Sequence, residues 1–232
     1  MTPLPLTFAG SIGDLAARLA ASGHEGRRVL LGLAGEPGAG KSTVAAQLAA
    51  ALGADAVVVP FDGFHLASTL LSDDSRKRRG AIDTFDLAGF RLLIQRLRQA
   101  DETVVYAPTF LREIEEPIAA AIAVPSSAPF VIVEGNYLLS DHPELTAARA
   151  LFDQIWYLET DAEIRRRRLV QRHIRFGKSP EAAAEWVEGS DEVNAGAIRA
   201  TRERADLVVR ITEDLASFDK KPGRASGLVA GY

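Results

Sequence analysis

The sequence contains no cysteine among its 232 residues. This absence excludes a disulfide scaffold, a cysteine-ligated zinc or iron–sulfur site, and catalysis by a thiol. No apolar stretch approaches the roughly 18 residues that span a bilayer, so membrane insertion is not expected. The chain has 27 basic and 31 acidic residues, for a net charge of −4, and this balance argues against a general nucleic-acid binder. The first ten residues show no basic segment before an apolar run, so we expect no secretory signal and a cytoplasmic protein.

Strand and helix patterns alternate along most of the chain. A helix is predicted from Ser11 to about Ser22, with Ser11 and Asp14 as a capping box and Gly23 at its end. Apolar runs without alternation indicate strands buried on both faces, at Val29–Ala34, Ala56–Phe61, Thr103–Tyr106, Phe130–Val133, Gln154–Leu158 and Leu207–Ile211. Further helices are predicted near Lys41–Leu52, Leu87–Gln99, Asp161–Phe176, Pro180–Glu188 and Asn194–Arg204, and a short antiparallel pair within 112–129. This order predicts a doubly wound α/β domain, in which ligands bind beyond the carboxyl ends of the strands.

The segment from Gly35 to Ser42 matches the phosphate-binding pattern G-x-x-x-x-G-K-[ST]. It follows an apolar strand and opens a helix, so backbone N–H groups and the positive helix end would meet the same anion. Lys41 can reach the β- and γ-phosphates, and the Ser42 hydroxyl can bind Mg²⁺. The residues expected to hold the nucleotide in this loop are Gly35, Gly38, Ala39, Gly40, Lys41, Ser42 and Thr43. The motif indicates a nucleotide but leaves kinase, GTPase, motor ATPase and transporter subunit open.

Two acidic residues follow apolar strands and narrow the choice. Asp62 comes directly after the second strand, which we expect to lie beside the P-loop strand, so its carboxylate could accept a proton from an attacking hydroxyl or hold Mg²⁺. Glu134 ends a strand of the Walker-B form and would bind Mg²⁺ or polarise the nucleophile. The structural alternatives are a helix cap for Asp62 and a packed ion-pair partner for Glu134.

A basic helix follows the fifth strand. Four arginines, at i, i+3, i+7 and i+10, share one face: Arg165, Arg168, Arg172 and Arg175. This face predicts a lid whose arginines close on the triphosphate, with Arg168 and Arg172 as phosphate contacts; the alternative is a solvated basic face. The fold expected from these features is a three-layer P-loop NTPase fold with a central, mostly parallel sheet and a small helical lid.

These motifs together resemble the superfamily of uridine kinase, phosphoribulokinase and bacterial pantothenate kinase. The resemblance rests on the P-loop, the turn Asp62-Gly63-Phe64-His65, the segment Glu134–Leu139 and the arginine-rich lid, in order over about 28–212. Its closest branch is that of bacterial nucleoside/nucleotide kinase-like or fructose transport system kinases. We therefore expect an N-terminal helix packed on the core in 1–27, a kinase domain in 28–219 with its lid at about 165–190, and a loose tail in 220–232.

The resemblance implies ATP- and Mg²⁺-dependent phosphorylation of a hydroxyl on a small molecule. Catalytic roles would fall to Lys41, Asp62, Glu134 and Arg168, and metal binding to Ser42 and Glu134. Substrate contacts would come from Asp62, His65, Asp83, Arg112, Asn136, Tyr137 and Asn194. The sequence departs from uridine kinases at Phe110-Leu111-Arg112, where those enzymes carry a Tyr-Asp pair, and this departure argues against a nucleoside acceptor. A sugar, a nucleoside and a pantothenate-like alcohol all stay open as acceptor classes.

Two other functions are alternatives to a kinase. A GTP-dependent switch or metallochaperone has only Asp86–Gly89 in its favour, inside a helical stretch, and no guanine-reading segment accompanies it. A nucleotide-binding accessory or regulatory NTPase of a sugar transport system would keep the P-loop without transferring phosphate to an acceptor. Transfer to an acceptor in excess of transfer to water distinguishes the kinase from both.

Overall fold

The computed structural model describes residues 4–22, 26–53 and 56–211. The strands are β1 (Leu6–Gly10), β2 (Val29–Ala34), β3 (Ala56–Pro60), β4 (Val104–Leu111), β5 (Glu116–Pro125), β6 (Phe130–Glu134), β7 (Gln154–Leu158) and β8 (Leu207–Ile211). The α-helices are α1 (Ile12–Ala21), α2 (Lys41–Leu52), α3 (Asp73–Lys77), α4 (Leu87–Gln99), α5 (Pro143–Arg149), α6 (Ala162–Arg175), α7 (Pro180–Trp186) and α8 (Glu192–Arg199). Each predicted strand and helix has a counterpart, and the capping box of Ser11 and Asp14 is present at the start of α1. The expectation that Thr103–Tyr106 is a strand buried on both faces is wrong, because β4 belongs to a separate two-stranded antiparallel sheet and Tyr106 is exposed.

Six strands form one parallel sheet in the order β1-β8-β7-β2-β6-β3. Strand β2 lies near the centre and all six of its residues are buried, as its unbroken apolar run requires. The expectation that the strand before Asp62 adjoins the P-loop strand is wrong. Strand β6, which carries Glu134, lies between β2 and β3, because a chain can leave a gap in a parallel sheet and fill it with a later strand.

Helices cover both faces of the sheet and give the predicted three layers. On one face the sheet packs against α4, α5 and α8 through Phe90, Ile94, Leu145 and Ile198. On the other face it packs against α1 and α2 through Leu15, Leu19, Val44 and Leu48. No helix within the described ranges is long and apolar enough to cross a membrane.

Some parts of the chain differ from the sequence prediction. Strand β1 and helix α5 were not predicted, and β1 adds to the edge of the main sheet by pairing with β8. The antiparallel pair is longer than expected and starts earlier, since β4 pairs with β5 over 104–125. Gly23 and the tail from 220 lie outside the described residues.

Candidate active site

The P-loop connects the end of β2 to the start of α2, and its glycines are required by both conformation and space. Gly38 and Gly40 have φ values of +77° and +95°, which side-chain-bearing residues rarely adopt. A Cβ atom on Gly38 would lie 2.7 Å from the carbonyl oxygen of Arg165, and one on Gly35 would lie 2.7 Å from that of Leu158. The loop therefore packs closely against β7 and against the first turn of α6.

Lys41 is the buried cation of this loop. Its Nζ donates hydrogen bonds of 3.0 Å to the carbonyl oxygens of Gly35 and Glu36. Burial lowers the pKa of Lys41 to about 8, although the carboxylates of Glu134 and Asp62 act in the opposite direction. The ammonium group thus lies within the loop and within the field of both acidic residues.

Ser42 and Glu134 form the second element of the site. The Ser42 hydroxyl donates a hydrogen bond of 2.8 Å to Oε1 of Glu134, the last residue of β6. Burial and the nearby carboxylate of Asp62 raise the pKa of Glu134, while Lys41 and the bond from Ser42 limit the rise. A hydroxyl and one carboxylate suit Mg²⁺, which usually keeps waters and takes further ligands from substrate phosphates. Within the described residues no group of three or more metal-binding side chains would complete a protein-only metal site.

Asp62 is held in a 3₁₀ turn, Phe61–Phe64, that directly follows β3. Its Oδ2 accepts a hydrogen bond of 2.7 Å from Nη2 of Arg112 in the hairpin turn after β4. Burial alone would raise the pKa of Asp62, but the charges of Arg112, His65, Arg172 and Lys41 outweigh it and lower the pKa. Asp62 is therefore ionised and paired with a cation.

Two motif glycines explain why these carboxylates lie so close together. A Cβ atom on Gly63 would lie 2.6 Å from the carbonyl oxygen of Pro108 in β4. A Cβ atom on Gly135 would collide with the side chain of Phe61. The glycine after each acidic residue thus lets the Asp62 turn pack against the hairpin on one side and against the end of β6 on the other.

The four arginines of α6 have different environments. Arg165 is 1% exposed and pairs with Glu36 of the P-loop at 2.7 Å, so it braces the loop instead of facing it. Arg175 is exposed, and its guanidinium lies over the ring of Phe176. Burial, followed by the charge of Arg112, lowers the pKa of Arg172, while Asp191, Asp62 and Glu134 act to raise it. Nη1 of Arg168 is buried and has no hydrogen-bond partner within the described part of the chain.

Arg172 is therefore the α6 arginine that the structure brings to the acidic pair. Its charge acts on Lys41, Asp62 and Glu134 alike. The two ends of this helix face do not reach the acidic pair, because the start of α6 is buried against the P-loop and its end reaches solvent.

The expected substrate residues divide into two groups. His65 and Arg112 lie beside Asp62: the His65 Nδ1 is 2.7 Å from the Asp62 carbonyl oxygen, and its ring contacts those of Phe85 and Phe110. Burial lowers the pKa of His65. Asp83 lies farther out and pairs with Arg78 at 2.8 Å.

Two of the remaining expected contacts, Tyr137 and Asn194, lie beside a loop around Gly80. Tyr137 is 6% exposed, and its hydroxyl donates a hydrogen bond of 2.8 Å to the Gly80 carbonyl oxygen, so it anchors this loop. The Nδ2 atom of Asn194 in α8 lies 4.0 Å from the position that a Cβ atom on Gly80 would take, so α8 approaches the same loop. Asn136 is half-buried directly after Gly135.

Sequence reasoning missed a charge network beneath the P-loop. The Glu36 carboxylate accepts hydrogen bonds from the Tyr157 hydroxyl at 3.1 Å and from Nη2 of Arg199 at 2.7 Å, in addition to its pair with Arg165. Glu192 joins the network through Arg199 at 3.1 Å and Arg165 at 3.5 Å. A cavity of about 280 Å³ adjoins it. Only the acidic residue inside the P-loop could have signalled this network, since its partners lie more than 120 positions away.

A glycine loop between a buried parallel strand and a helix, with a buried lysine and a hydroxyl–carboxylate pair at its mouth, defines a P-loop nucleotide-binding protein. A family model described as "AAA domain" matches residues 30–192. The chain is 34% identical to "Putative uridine kinase C227.14" of Schizosaccharomyces pombe, over 79% of this chain and 83% of that protein. It is 39% identical to the "ATP-dependent kinase-like protein notR'" of Aspergillus versicolor, over 53% of this chain and 76% of that one.

A solved structure has the same fold as this chain. The "putative fructose transport system kinase" of Silicibacter sp. TM1040 superposes with a TM-score of 0.77 at 38% identity, over 85% of this chain and 98% of that one. The chain therefore belongs to this AAA-domain family, in the branch of P-loop kinases related to uridine kinase. The predicted fold class and family are confirmed.

Proposed function

We propose that this kinase transfers the γ-phosphoryl group of ATP to a hydroxyl group of a small metabolite, with Mg²⁺ as its metal ion. The observation that carries the proposal is the position of Asp62. Its carboxylate lies beside the P-loop, close enough for its charge to act on both Lys41 and Glu134. A base at that place can reach an acceptor hydroxyl while the loop holds the phosphates.

The other site residues would take roles around the phosphates and the metal ion. The P-loop amides, Lys41 and Thr43 would hold the phosphates, and Arg172 and Arg168 would neutralise the charge that spreads over the transferred group. Ser42 and Glu134 would bind Mg²⁺, which supplies charge neutralisation between the phosphates when bound. Bound phosphates would give Lys41 a stronger partner than the carbonyl oxygens that it now contacts.

The proposed phosphoryl transfer forms one bond to phosphorus and breaks another. The acceptor oxygen forms a bond to the γ-phosphorus as the bond between that phosphorus and the β–γ bridging oxygen breaks. The acceptor proton passes to the Asp62 carboxylate and later to solvent. The products are ADP and a phosphate monoester of the acceptor.

The test is Asp62→Asn in the full chain, supplied with Mg-ATP and a panel of sugars, polyols, nucleosides and pantothenate-like alcohols. We expect phosphate transfer to fall at least about 100-fold, because a general base is removed, while the Kd for ATP changes little. Asp141→Asn is the matched control, since Asp141 is exposed and pairs only with Arg204 in the described structure. Wild-type protein that releases phosphate to water but transfers none to any acceptor would overturn the proposal in favour of a regulatory NTPase.

A further inference from the structure

We infer that the acceptor carries an anionic group, a carboxylate or a phosphate, which Arg112 binds; this inference rests on the proposed kinase function. It starts from the ion pair between Arg112 and Asp62. The pair is only partly buried, since the side chains are 35% and 28% exposed, so a small solute can reach it. The same two residues would face the acceptor hydroxyl and the rest of the acceptor.

The ion pair presents a difficulty for a neutral acceptor. Oδ2 of Asp62 already accepts a hydrogen bond of 2.7 Å from Arg112. A carboxylate held by a guanidinium is a weaker base than a free one. A neutral alcohol offers Arg112 no charged partner, so the pair would persist while the alcohol is bound.

An anionic acceptor removes this difficulty. A guanidinium has five N–H donors, and within the described residues only Nη2 of Arg112 makes a hydrogen bond. Nε and Nη1 are left for a two-point contact with a carboxylate or phosphate, the geometry that arginine favours. The charge of Arg112 is then shared between the acceptor anion and Asp62, so its hold on the Asp62 carboxylate weakens and that carboxylate becomes a stronger base toward the acceptor hydroxyl.

The surroundings of Arg112 reinforce a preference for anions. The ring of Phe110 lies 5.7 Å from the Arg112 guanidinium and 5.8 Å from that of Arg79, so two cations flank one aromatic ring. Arg79 is fixed by hydrogen bonds to the backbone carbonyl oxygens of Leu66 and Glu115 and has no carboxylate partner among the described residues. Its charge is offset only in part, by the nearby Glu116 carboxylate.

The experiment compares matched neutral and anionic alcohols with the wild-type protein and Mg-ATP. One series is glycerol, glycerate and glycerol 3-phosphate, and the other is fructose, gluconate and fructose 6-phosphate. Products are identified by ³¹P NMR, and kcat/KM is measured for each alcohol. We expect at least one anionic alcohol to exceed its neutral counterpart by about 30-fold or more, the low end for a charged contact of this kind. The carboxylate and phosphate arms show which anion is preferred.

The variant Arg112→Gln tests the assignment. It should lower kcat/KM for the anionic acceptor by about 30-fold, mainly through KM. For the neutral alcohols kcat/KM should not fall, because Asp62 loses its guanidinium partner and becomes a stronger base. Arg96→Gln is the matched control, because Arg96 forms an exposed pair with Glu102 at the end of α4. A binding readout without turnover uses Asp62→Asn, which frees Arg112. The anionic alcohol should then raise the melting temperature at least as much as in the wild type.

The outcomes separate this inference from the proposed function. Transfer to neutral alcohols that equals or exceeds transfer to their anionic counterparts would leave the kinase proposal standing and overturn the inference. An equal loss for both classes in Arg112→Gln would do the same. Hydrolysis of ATP without transfer to any alcohol would overturn both.

Discussion

Glu36 offers a test of the charge network beneath the P-loop. In Glu36→Gln the carboxylate is lost, and among the described residues its partner Arg165, which is 1% exposed, keeps only Glu192 at 3.5 Å as an acidic neighbour. Removing one partner of a buried ion pair costs about 3–5 kcal/mol, because the other charge stays buried. The pair with Arg199 adds little, since that side chain is 49% exposed. Glu192 offsets part of the loss, so we expect a decrease of about 3 kcal/mol in the free energy of unfolding.

This change is measurable by thermal unfolding of the nucleotide-free protein. For a chain of this size each kcal/mol shifts the melting temperature by about 2–4 °C, so the expected decrease is about 6–12 °C. Glu102→Gln is the control, because Glu102 forms an exposed pair with Arg96, and its cost should stay below about 1 kcal/mol.

A double variant tests the cause of the loss. If the stranded charge of Arg165 is responsible, Arg165→Met should cost less in the Glu36→Gln background than in the wild type. A melting temperature for Glu36→Gln within 2 °C of the wild type, roughly the effect of 1 kcal/mol or less, would refute the reasoning. An equal decrease for Glu102→Gln would also refute it.

Three further predictions concern the site itself. Burial lowers the pKa of Lys41 to about 8, and the ammonium form is the one that binds phosphate. The affinity for ATP should therefore fall about tenfold from pH 7 to pH 9, and calorimetry should detect proton uptake on binding. Lys41→Arg should show no such uptake, and uptake in that variant would contradict the assignment. Arg172→Ala should lower kcat by about 100-fold or more, because its charge reaches the acidic pair. Arg175→Ala should not lower kcat, because Arg175 is exposed. Equal effects of the two variants in steady-state kinetics would contradict the assignment of Arg172 to the acidic pair. Gly63→Ala should lower stability by about 1–3 kcal/mol in denaturant unfolding and reduce kcat, because its methyl group would press on Pro108; unchanged stability would show that the hairpin does not pack there.

The parts of the fold that could be predicted depend on local signals. The run Val29–Ala34 is apolar at every position, and the P-loop combines glycines, lysine and serine within eight residues. Strand β1 was missed because Leu6–Gly10 is short and half-exposed at the sheet edge. The order of the strands was also misjudged, since no local feature of β3 tells which neighbour it will pair with.

In the candidate site, too, local motifs could be predicted from the sequence, whereas contacts between distant segments could not. The motif residues were found from spacing, and the carboxylates of Asp62 and Glu134 lie near Lys41 as that spacing suggests. Helical periodicity gave the shared face of Arg165 and Arg172, but it could not tell that one is buried under the loop while the other faces the acids. That difference arises from how α6 packs on the P-loop, a contact between segments 128 positions apart.

The contact between Gly38 and the backbone of Arg165 affects how variants of the loop should be interpreted. Any side chain at Gly38 would collide with the carbonyl oxygen of Arg165, and the residue would also need a positive φ that side-chain-bearing residues rarely adopt. The loop of such a variant would be distorted even without nucleotide, so a loss of activity would reflect the distorted loop and not a lost phosphate contact. A smaller side chain at Lys41 causes no such collision, so a Lys41 variant is the better test of how the P-loop binds phosphates.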